Sequence, residues 1–455
     1  MAKKLVGSVD EVDVHGKASS LLGGTARVQP SAMLGFVCYD CVMQRRRLTA
    51  VVSLVLLLSC SDEDPVEPPR FPRVFTVDPY GDTGYLTVQD ALDAAVDGDT
   101  IELVNGRHSG PGNRDLDFGG KSIVLRSQRG DALYCILDAD GYYLDPPDPH
   151  FNIRFGPSRS VGRPTVGPPR VVVENLRIED GFESVVCDSG SAPVFRNCTF
   201  ERSYRAVSCL GASPVFVNCS FDNNNSALIC DEGSTVVVDG GRVWQNYSFD
   251  DGGGIFVRAS SLTIIGCEFI RNSADRGAAI YSTADYEGTR ASVVVMDCNI
   301  HWAYGSGALY LEQTDFEFQN CVFSDNEGAV FVYEDSQGSF VGSIFYGEAI
   351  YLDSGSSVAI ESCVIAFNGS GPGVHCGFSG TATVQLTCSD LFDNTDECIL
   401  DQIGTNGNLA VDPKFCSFDE GEFSFYPDSP VVTNADCLRP GGWPVGCAPP
   451  PESRY

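Results

Sequence analysis

The sequence "FRNCTFERSYRAVSC" at residues 195–209 is followed by "FVNCSFDNNNSALIC" at residues 216–230. Both stretches contain an aromatic residue, an Asn-Cys pair, a Phe two places later and a closing Cys. When the copies are aligned on this later Phe, ten copies have a large apolar residue at its position, which we call the first column. The residue five places earlier is also large and apolar in every copy and forms a second column. The first column contains Ile178, Phe200, Phe221, Val243, Phe269, Ile300, Phe323, Phe345, Ile365 and Leu391. The second contains Val173, Phe195, Phe216, Val238, Ile264, Val295, Phe318, Phe340, Ile360 and Leu386.

Spacings of roughly 20 to 30 residues between the copies indicate a solenoid. The apolar positions lie on short segments rich in β-branched and aromatic residues, which is typical of strands rather than helices. Between the two columns lies a position dominated by Asn, Gly and Asp, the residues that tolerate positive φ, so each copy should turn a corner there. This corner column contains Asn175, Asn197, Asn218, Gly240, Gly266, Asp297, Asn320, Gly342, Ser362 and Cys388.

A third apolar column follows the corner in each copy. It contains Val185, Val207, Leu228, Phe256, Ile280, Leu309, Phe331, Ile350 and Val374. Several short strands per copy, none able to bury its inner face alone, predict coils that stack in parallel about 4.8 Å apart. The sequence therefore predicts an all-β protein, a right-handed parallel β-helix of about ten or more coils over residues 74–400, with an irregular C-terminal cap and tail over 401–455.

A short helix is expected to cover the first coil. Thr87 is a suitable N-cap with Asp90 three places later. The predicted helix covers residues 88–96, and its apolar face consists of Val88, Leu92, Ala95 and Val96. A helix in this place would cover the unpaired edge that every solenoid has at its end.

Three segments carry a family resemblance. "TVQDALDAAVDGDTIELVNGRHSG" (87–110) resembles the N-terminal entry of pectate-lyase-like β-helix proteins, and "CEFIRNSADRGAAIY" (267–281) is similar to the repeat of polymorphic outer-membrane proteins. "NLAVDPKFCSFDEGEFSFYPDSPVV" (408–432) is similar to the closing cap of exported bacterial β-helix proteins. The resemblance covers about residues 74–447 and implies the fold. It leaves the activity open, because the superfamily includes lyases, hydrolases, epimerases, adhesins and passenger domains.

The segment "MQRRRLTAVVSLVLLLSC" (43–60) contains three arginines, an apolar run too short to cross a bilayer easily, and a sequence similar to a bacterial lipobox. It predicts a lipoprotein signal peptide over residues 43–59 and lipidation of Cys60. Residues 1–42 are then an upstream segment, and residues 60–73 form an acidic, Pro-rich tether. The expected location is the bacterial cell envelope, with the protein held on a membrane by its N-terminal lipid.

Charge and cysteine content limit the possible partners. The chain has 61 acidic and 30 basic residues and a net charge of −31, which argues against nucleic-acid binding. Sixteen cysteines lie between Cys135 and Cys447, and an exported protein with so many is expected to form disulfides. At least some neighbouring coils should be bridged along the axis, and the best candidates are Cys198 with Cys219 or Cys298 with Cys321. The alternative is a column of reduced, buried thiols.

Possible catalytic and metal-binding residues lie in the turn before the third apolar column. That turn offers Arg205, Asn224, Asp250, Asp251, Asp275, Arg276, Asp325, Glu327 and Glu348. Stacked carboxylates of Asp250, Asp251 and Asp275 are candidate ligands for Ca²⁺. Asp251, Asp275 and Arg276 would form a lyase-like site if they fall on consecutive coils, with Arg276 as the base, as the resemblance to pectate lyases implies. The simpler interpretation is a solvated acidic turn.

The remaining candidates are weaker. "DPPDPHF" (145–151) is similar to a motif of alginate epimerases and offers Asp148 and His150 as an acid/base pair. His108, His301 and His375 are expected to be structural. Two functions stay open: a non-catalytic surface protein that binds glycans or protein partners, and an enzyme acting on acidic polysaccharides, such as a Ca²⁺-dependent lyase, a hydrolase or an epimerase.

Overall fold

The computed structural model describes residues 71–446 apart from 82–83, 142–148, 157–169, 329, 354, 370, 378–380, 396–397, 417–422, 435–436 and 438–444. The predicted upstream segment, signal peptide, lipidation residue Cys60 and most of the tether lie outside these residues, as does Asp148. Within the described part no helix is long and apolar enough to cross a membrane.

The described chain winds into a parallel β-solenoid of about 12 coils, as the repeats predict. The larger sheet has two strand segments per coil, one on each side of the predicted corner. Its strands are Val74–Val77, Thr100–Leu103, Gly106–His108, Val124–Ser127, Cys135–Asp138, Val172–Glu174, Arg177–Glu179, Val194–Arg196, Thr199–Glu201, Val215–Asp222, Thr235–Trp244, Ser261–Ile270, Ala291–Met296, Asn299–His301, Thr314–Gln319, Val322–Ser324, Gln337–Val341, Ile344–Tyr346, Ser357–Glu361, Val364–Ala366, Thr383–Thr387 and Asp390–Phe392.

The smaller sheet has one strand per coil and closes the opposite side of the core. Its strands are Leu116–Asp117, Ile153–Phe155, Glu183–Cys187, Arg205–Leu210, Leu228–Asp231, Ile255–Arg258, Ile280–Thr283, Leu309–Glu312, Val330–Tyr333, Ile350–Leu352 and Val374–Cys376. Ser273–Arg276 and Tyr304–Ser306 form a two-stranded sheet at one edge. The helices are Val88–Ala94 and Pro430–Thr433, with a 3₁₀ turn at Leu400–Gln402.

The first two apolar columns form the core, and all twenty side chains are at most 4 % exposed. Neighbouring members stack along the axis, with ring centroids 5.0 Å apart for Phe200 and Phe221 and 4.7 Å for Phe323 and Phe345. Every residue of the predicted corner column has positive φ, between 51° and 72°. One left-handed residue between two strands turns the chain while both flanking side chains stay in the core.

The third apolar column is correct except at two coils. Ile255 and Val330 face the core, whereas Phe256 and Phe331 face outward. Side chains alternate between faces along a strand, so an assignment wrong by one residue reverses the face. Each of these coils presents two adjacent apolar residues, and hydrophobicity alone does not choose between them.

The helix begins as predicted and ends early. Thr87 accepts a hydrogen bond from the backbone N–H of Asp90 at 3.2 Å, and Val88, Ala91 and Leu92 are buried in the main core. The helix ends at Ala94 because Ala95 has extended backbone, and Val96 is exposed instead of lying on the apolar face.

A second, small core attaches the C-terminal cap. Phe415, Phe425 and Val431 pack against Ile344 and the outward side chains of the next coil, Val364 and Ala366. The cap first continues the stack by a bridge between Leu409 and Asp390 and then covers the outside of these coils.

The predicted disulfides between Cys198 and Cys219 and between Cys298 and Cys321 are absent. All four residues are buried free thiols, so the alternative interpretation describes the structure. The Cα atoms of stacked residues in neighbouring coils are close enough for a disulfide. Their side chains run parallel, however, so their Cβ atoms are also about 4.8 Å apart, which exceeds the Cβ–Cβ distance of about 3.8 Å that disulfides prefer. The disulfides of the described chain lie near its end, including Cys376–Cys398 and Cys388–Cys437.

A column of buried polar side chains stands three places after the first apolar column. Asn246 is typical, because its amide oxygen accepts the N–H of Asn224 at 3.0 Å and its amide nitrogen donates to the carbonyl of Phe221 at 2.8 Å. Asn224 and Glu348, which we expected in the outer turn, belong to this internal column. The carboxyl of Glu348 accepts the N–H of Asn326 through Oε1 at 2.6 Å, while Oε2 has no hydrogen-bond partner among the described residues.

Candidate functional site

The outer face of the smaller sheet carries a ladder of rings. Its strands alternate, with Ile255 and Val257 facing inward and Phe256 and Arg258 facing outward. In the following coils the residue aligned with Phe256 is again aromatic, and neighbouring ring centroids are 5.0–5.8 Å apart. The ladder contains Phe256, Tyr281, Tyr310, Phe331, Tyr351 and His375.

A groove of about 350 Å³ lies where this ladder begins. The two coils before Phe256 present Ile229 and Ser208 in the same column, and these smaller side chains leave a concave floor. Tyr204 and Phe249, which are 39 % and 69 % exposed, form one side of the groove. Concave sites that combine apolar rings with a few fixed polar groups are typical of small-ligand binding.

The charged groups of the groove are paired between neighbouring coils. Arg205 donates to Glu183 at 3.0 Å, and Arg258 binds both carboxylate oxygens of Asp231. The hydrogen bonds to Asp231 raise the pKa of Arg258 above its ordinary value. These pairs hold the side chains in fixed directions, because a planar guanidinium that binds a carboxylate through two nitrogens has little freedom to rotate.

The candidate lyase site is only partly assembled. Asp251 and Arg276 do lie on consecutive coils, and Arg276 donates to Asp251 through Nε at 2.9 Å and Nη2 at 2.7 Å. Its Nη1 donates to Glu312 at 3.0 Å, and its guanidinium lies over the rings of Tyr281 and Tyr310 at 4.8 and 5.2 Å. The hydrogen bonds to Asp251 raise the pKa of Arg276, so this arginine stays protonated and lacks the free nitrogen that a base needs.

The predicted calcium ligands do not converge. Asp250 and Asp251 line the groove, whereas Asp275 is exposed and takes no part in the ion pairs found among the described residues. In the described chain, Asp250, Asp251 and Asp275 are not among the carboxylates close enough together to share an ion. The structure shows two groove residues and an exposed one, as in the simpler interpretation of a solvated turn.

One group of carboxylates does lie within metal-ligand distance, in the early coils, where two strands of the larger sheet end. It consists of Asp138, Glu179 and Asp180. Arginines already neutralise it, since Arg107 and Arg202 each approach Glu179 Oε1 to 2.7 Å. A metal ion would be repelled by these guanidinium groups, so this network does not resemble a metal site.

The histidines have structural surroundings. His108 is buried, its Nε2 lies 2.9 Å from the carbonyl of Val104, and burial lowers its pKa. Burial also lowers the pKa of His301, which stacks on Trp302. His375 ends the aromatic ladder, and His150 lies 2.7 Å from Asp115 through Nδ1.

The apolar columns of the sequence did not indicate the ladder or the groove. The available signal was the aromatic residue that directly follows the inward residue in four coils, at Tyr281, Tyr310, Phe331 and Tyr351. Recognising it requires the correct register at Phe256 and Phe331, which the apolar pattern leaves ambiguous.

Comparison with known proteins gives one family. A family model described as "Right handed beta helix region" matches residues 166–292 and 254–412. No curated protein matches the chain. Among solved structures it is similar to an alginate lyase from Paenibacillus sp. str. FPU-7, with 11 % identity and a TM-score of 0.39 over 69 % of this chain and 99 % of that one.

Two further structures are similar at the same level. The complex of XylC with xylose has 9 % identity and a TM-score of 0.43, and the match covers 77 % of this chain and 88 % of that one. The pectate lyase Pel9A has 11 % identity and a TM-score of 0.37 over 78 % and 85 % of the two chains.

Proposed function

The chain belongs to the right-handed β-helix family, and on that premise we propose that it is an exported, non-catalytic protein that binds a glycan in its outer groove. The observation that carries the proposal is the groove itself, in which exposed rings and oriented ion pairs line one concavity on an otherwise regular face. A fold alone does not determine function, and the residues of the groove are therefore the basis of this proposal.

The composition of the groove suits a sugar. One face of a pyranose ring presents C–H groups, which fit the negative face of an aromatic ring, and Tyr204 and Phe249 offer exposed rings. Sugar hydroxyls can donate to the carboxylates of Glu183 and Asp231 and accept from Arg205, all held in place by the ion pairs.

The charge of the groove favours an uncharged glycan. Its lining includes the carboxylates of Glu183, Asp231, Asp250 and Asp251 and the guanidinium groups of Arg205 and Arg258. The carboxylates outnumber the guanidinium groups, and the whole chain has a net charge of −31. A polyuronate would be repelled, whereas a neutral oligosaccharide would not.

Ion pairing supports binding without turnover. Hydrolysis or elimination needs a proton acceptor and a donor that converge on one bond. In the described groove each arginine is bound to a carboxylate of a neighbouring coil, and Arg276 beside it is held by Asp251 and Glu312.

Binding is tested by calorimetric titration with neutral and acidic oligosaccharides, with and without Ca²⁺. Phe249→Ala and Tyr204→Ala should weaken binding of a neutral oligosaccharide by about tenfold each, since truncation of an aromatic side chain that anchors a ligand costs more than about 1 kcal/mol. Tyr134→Ala is the matched control, because Tyr134 is exposed but outside the groove. Absence of binding to every oligosaccharide, or release of unsaturated sugars from pectate, alginate or chondroitin, would contradict the proposal.

The proposal places the protein in the bacterial cell envelope, where glycans are accessible. The basis is the signal-like segment at residues 43–59 and the lipobox-like sequence ending at Cys60. Labelling of cells with a fatty-acid analogue should mark the wild-type protein but not the Cys60→Ala variant. Equal labelling of both proteins would exclude lipidation at Cys60.

A further inference from the structure

Beside the groove, one residue per coil stands in an axial column that borders the solenoid. The column is defined by a repeated hydrogen bond to the preceding coil, from Tyr204 N to Gly181 O at 3.1 Å, from Tyr247 N to Asn224 O at 2.8 Å and from Tyr304 N to Asn272 O at 2.9 Å. In chain order the column contains Phe182, Tyr204, Asn225, Tyr247, Ser273, Tyr304 and Glu327, and its members Tyr204 and Asn225 also line the groove. We call it the edge column.

From Tyr204 to Tyr304, between its two end members Phe182 and Glu327, the edge column alternates between a tyrosine and a small polar residue. Tyr204, Tyr247 and Tyr304 are 39 %, 42 % and 46 % exposed, and Asn225 and Ser273 separate them. With a rise of about 4.8 Å per coil, successive tyrosines stand about 9.6 Å apart along the axis. The three exposed rings therefore span about 19 Å in a line.

Further rings lie beside the tyrosines. Phe182 stacks on one face of Tyr204 with centroids 4.9 Å apart, and Phe249 packs edge-on against Tyr247 with centroids 4.7 Å apart. Trp302, two residues before Tyr304, is 40 % exposed and is covered by the guanidinium of Arg271 at 5.4 Å. Partly exposed tyrosine and tryptophan rings of this kind are enriched at interaction sites.

The spacing identifies a chemical class. In an extended β-1,4-linked glycan, each sugar is rotated by about half a turn relative to the one before it, so the same face recurs at every second sugar. The length of this two-sugar repeat is close to the rise of two coils of the solenoid. Sugars whose face meets a tyrosine would stack on Tyr204, Tyr247 and Tyr304. The intervening sugars would lie over Asn225 and Ser273, which leave room and offer hydrogen-bonding groups.

We propose that the edge column is a track for an extended, uncharged β-1,4-linked polysaccharide that runs along the solenoid axis, with one part of the chain in the groove. This inference rests on the proposed glycan binding and adds linkage and chain direction to it. The acidic surroundings exclude polyanionic chains, and a rigid row of rings loses little entropy when an extended chain binds.

The test is calorimetric titration with hexasaccharides that differ in linkage. Cellohexaose, chitohexaose and xylohexaose should bind at least about tenfold more tightly than laminarihexaose, which is β-1,3-linked, and maltohexaose, which is α-1,4-linked. Affinity should also rise in a length series when the chain becomes long enough to contact two tyrosines.

Variants locate the track. Tyr304→Ala should weaken binding of the β-1,4-linked hexaoses by about tenfold and leave the binding of disaccharides in the groove unchanged. Tyr304→Phe, which keeps the ring, should bind like the wild type. Tyr134→Ala, at an exposed ring outside the groove and the edge column, should change the affinity less than about twofold. Circular dichroism confirms that each variant is folded.

The outcomes separate the two proposals. Equal affinity for all hexaoses, or an unchanged affinity in Tyr304→Ala, would overturn the track while glycan binding in the groove still held. No binding of any glycan would overturn the groove and the track together. A preference for β-1,4-linked hexaoses, together with weaker binding of these hexaoses by Tyr304→Ala, supports both the groove and the track.

Discussion

Replacing Glu348 by Gln should stabilise the protein in a way that depends on pH. Glu348 stands in the internal column otherwise dominated by asparagine and is 1 % exposed. Burial raises the pKa of its carboxyl from 4.5 to about 8. An ionised carboxylate cannot donate a hydrogen bond as the asparagine amides of the column do, whereas a protonated carboxyl or a glutamine can.

The sign follows from proton binding. Between pH 4.5 and 8 the folded protein holds a proton on Glu348 that the unfolded chain has released, so stability falls as the pH rises. The contribution of this group is fully present below pH 4.5 and is lost on reaching pH 8. At one pKa unit per 1.36 kcal/mol, the loss between pH 5 and 9 is about 3–5 kcal/mol.

The measurement is urea unfolding of wild type and Glu348→Gln at each pH from 5 to 9. The difference in unfolding free energy should be below about 1 kcal/mol at pH 5 and grow to about 3–5 kcal/mol at pH 9. Glu317→Gln, an exposed glutamate in a neighbouring part of the larger sheet, should show a constant difference. Parallel pH profiles for wild type and Glu348→Gln would refute the protonated, buried carboxyl.

Three further outcomes are expected. Phe221→Ser should destabilise the protein by about 4 kcal/mol in urea unfolding, because it removes a buried ring stacked on Phe200 and buries a hydroxyl; a change below 1 kcal/mol would contradict the core assignment. The wild-type protein should release no unsaturated product from pectate, alginate or chondroitin with Ca²⁺, and product formation abolished in Arg276→Ala would show that Arg276 is a base. Without reductant, Cys298 and Cys321 should be alkylated after unfolding but not in the native protein; protection in the unfolded chain would indicate a disulfide.

The parts of the fold that repeat at fixed spacing were predictable from the sequence. The two core columns require large apolar side chains, and the corner column requires residues that tolerate positive φ. Few residue types meet either requirement. At Asn197 and Gly240, for example, the residue type itself indicates the left-handed backbone that the structure has.

A second left-handed position in each coil was only partly predictable. It stands two places after the first apolar column, and half of its residues are types that tolerate positive φ, namely Asp180, Asn223, Asp325, Gly347 and Asp393. The others, Arg202, Gln245, Arg271, Trp302 and Phe367, have φ between 51° and 66° although their types do not favour it, at a cost of roughly 1–2 kcal/mol for each. The ladder hydrogen bonds of the neighbouring coils impose the conformation, and that constraint is not visible in one coil's sequence.

The groove was unpredictable for a related reason. Its lining comes from outward positions of four coils. A register error of one residue in the strand of Phe256 assigns the ring of Phe256 to the core instead of the groove. The pairing of Arg276 with Glu312 likewise depends on the length of the loop that separates their coils. Sequence spacing left open whether Asp251 and Arg276 fall on consecutive coils, and it gave no sign that a second carboxylate would join them.

The position of Cys388–Cys437 determines how the stack responds to mechanical load. In an array in which each coil touches only its neighbours, separation proceeds most easily from an end, one coil at a time. A force applied to the chain beyond Cys437 is transferred through the disulfide to Cys388, at the corner of the final described coil, and bypasses the cap between them. The cap is shielded from tension, and the load falls on a row of parallel strand hydrogen bonds that must break together.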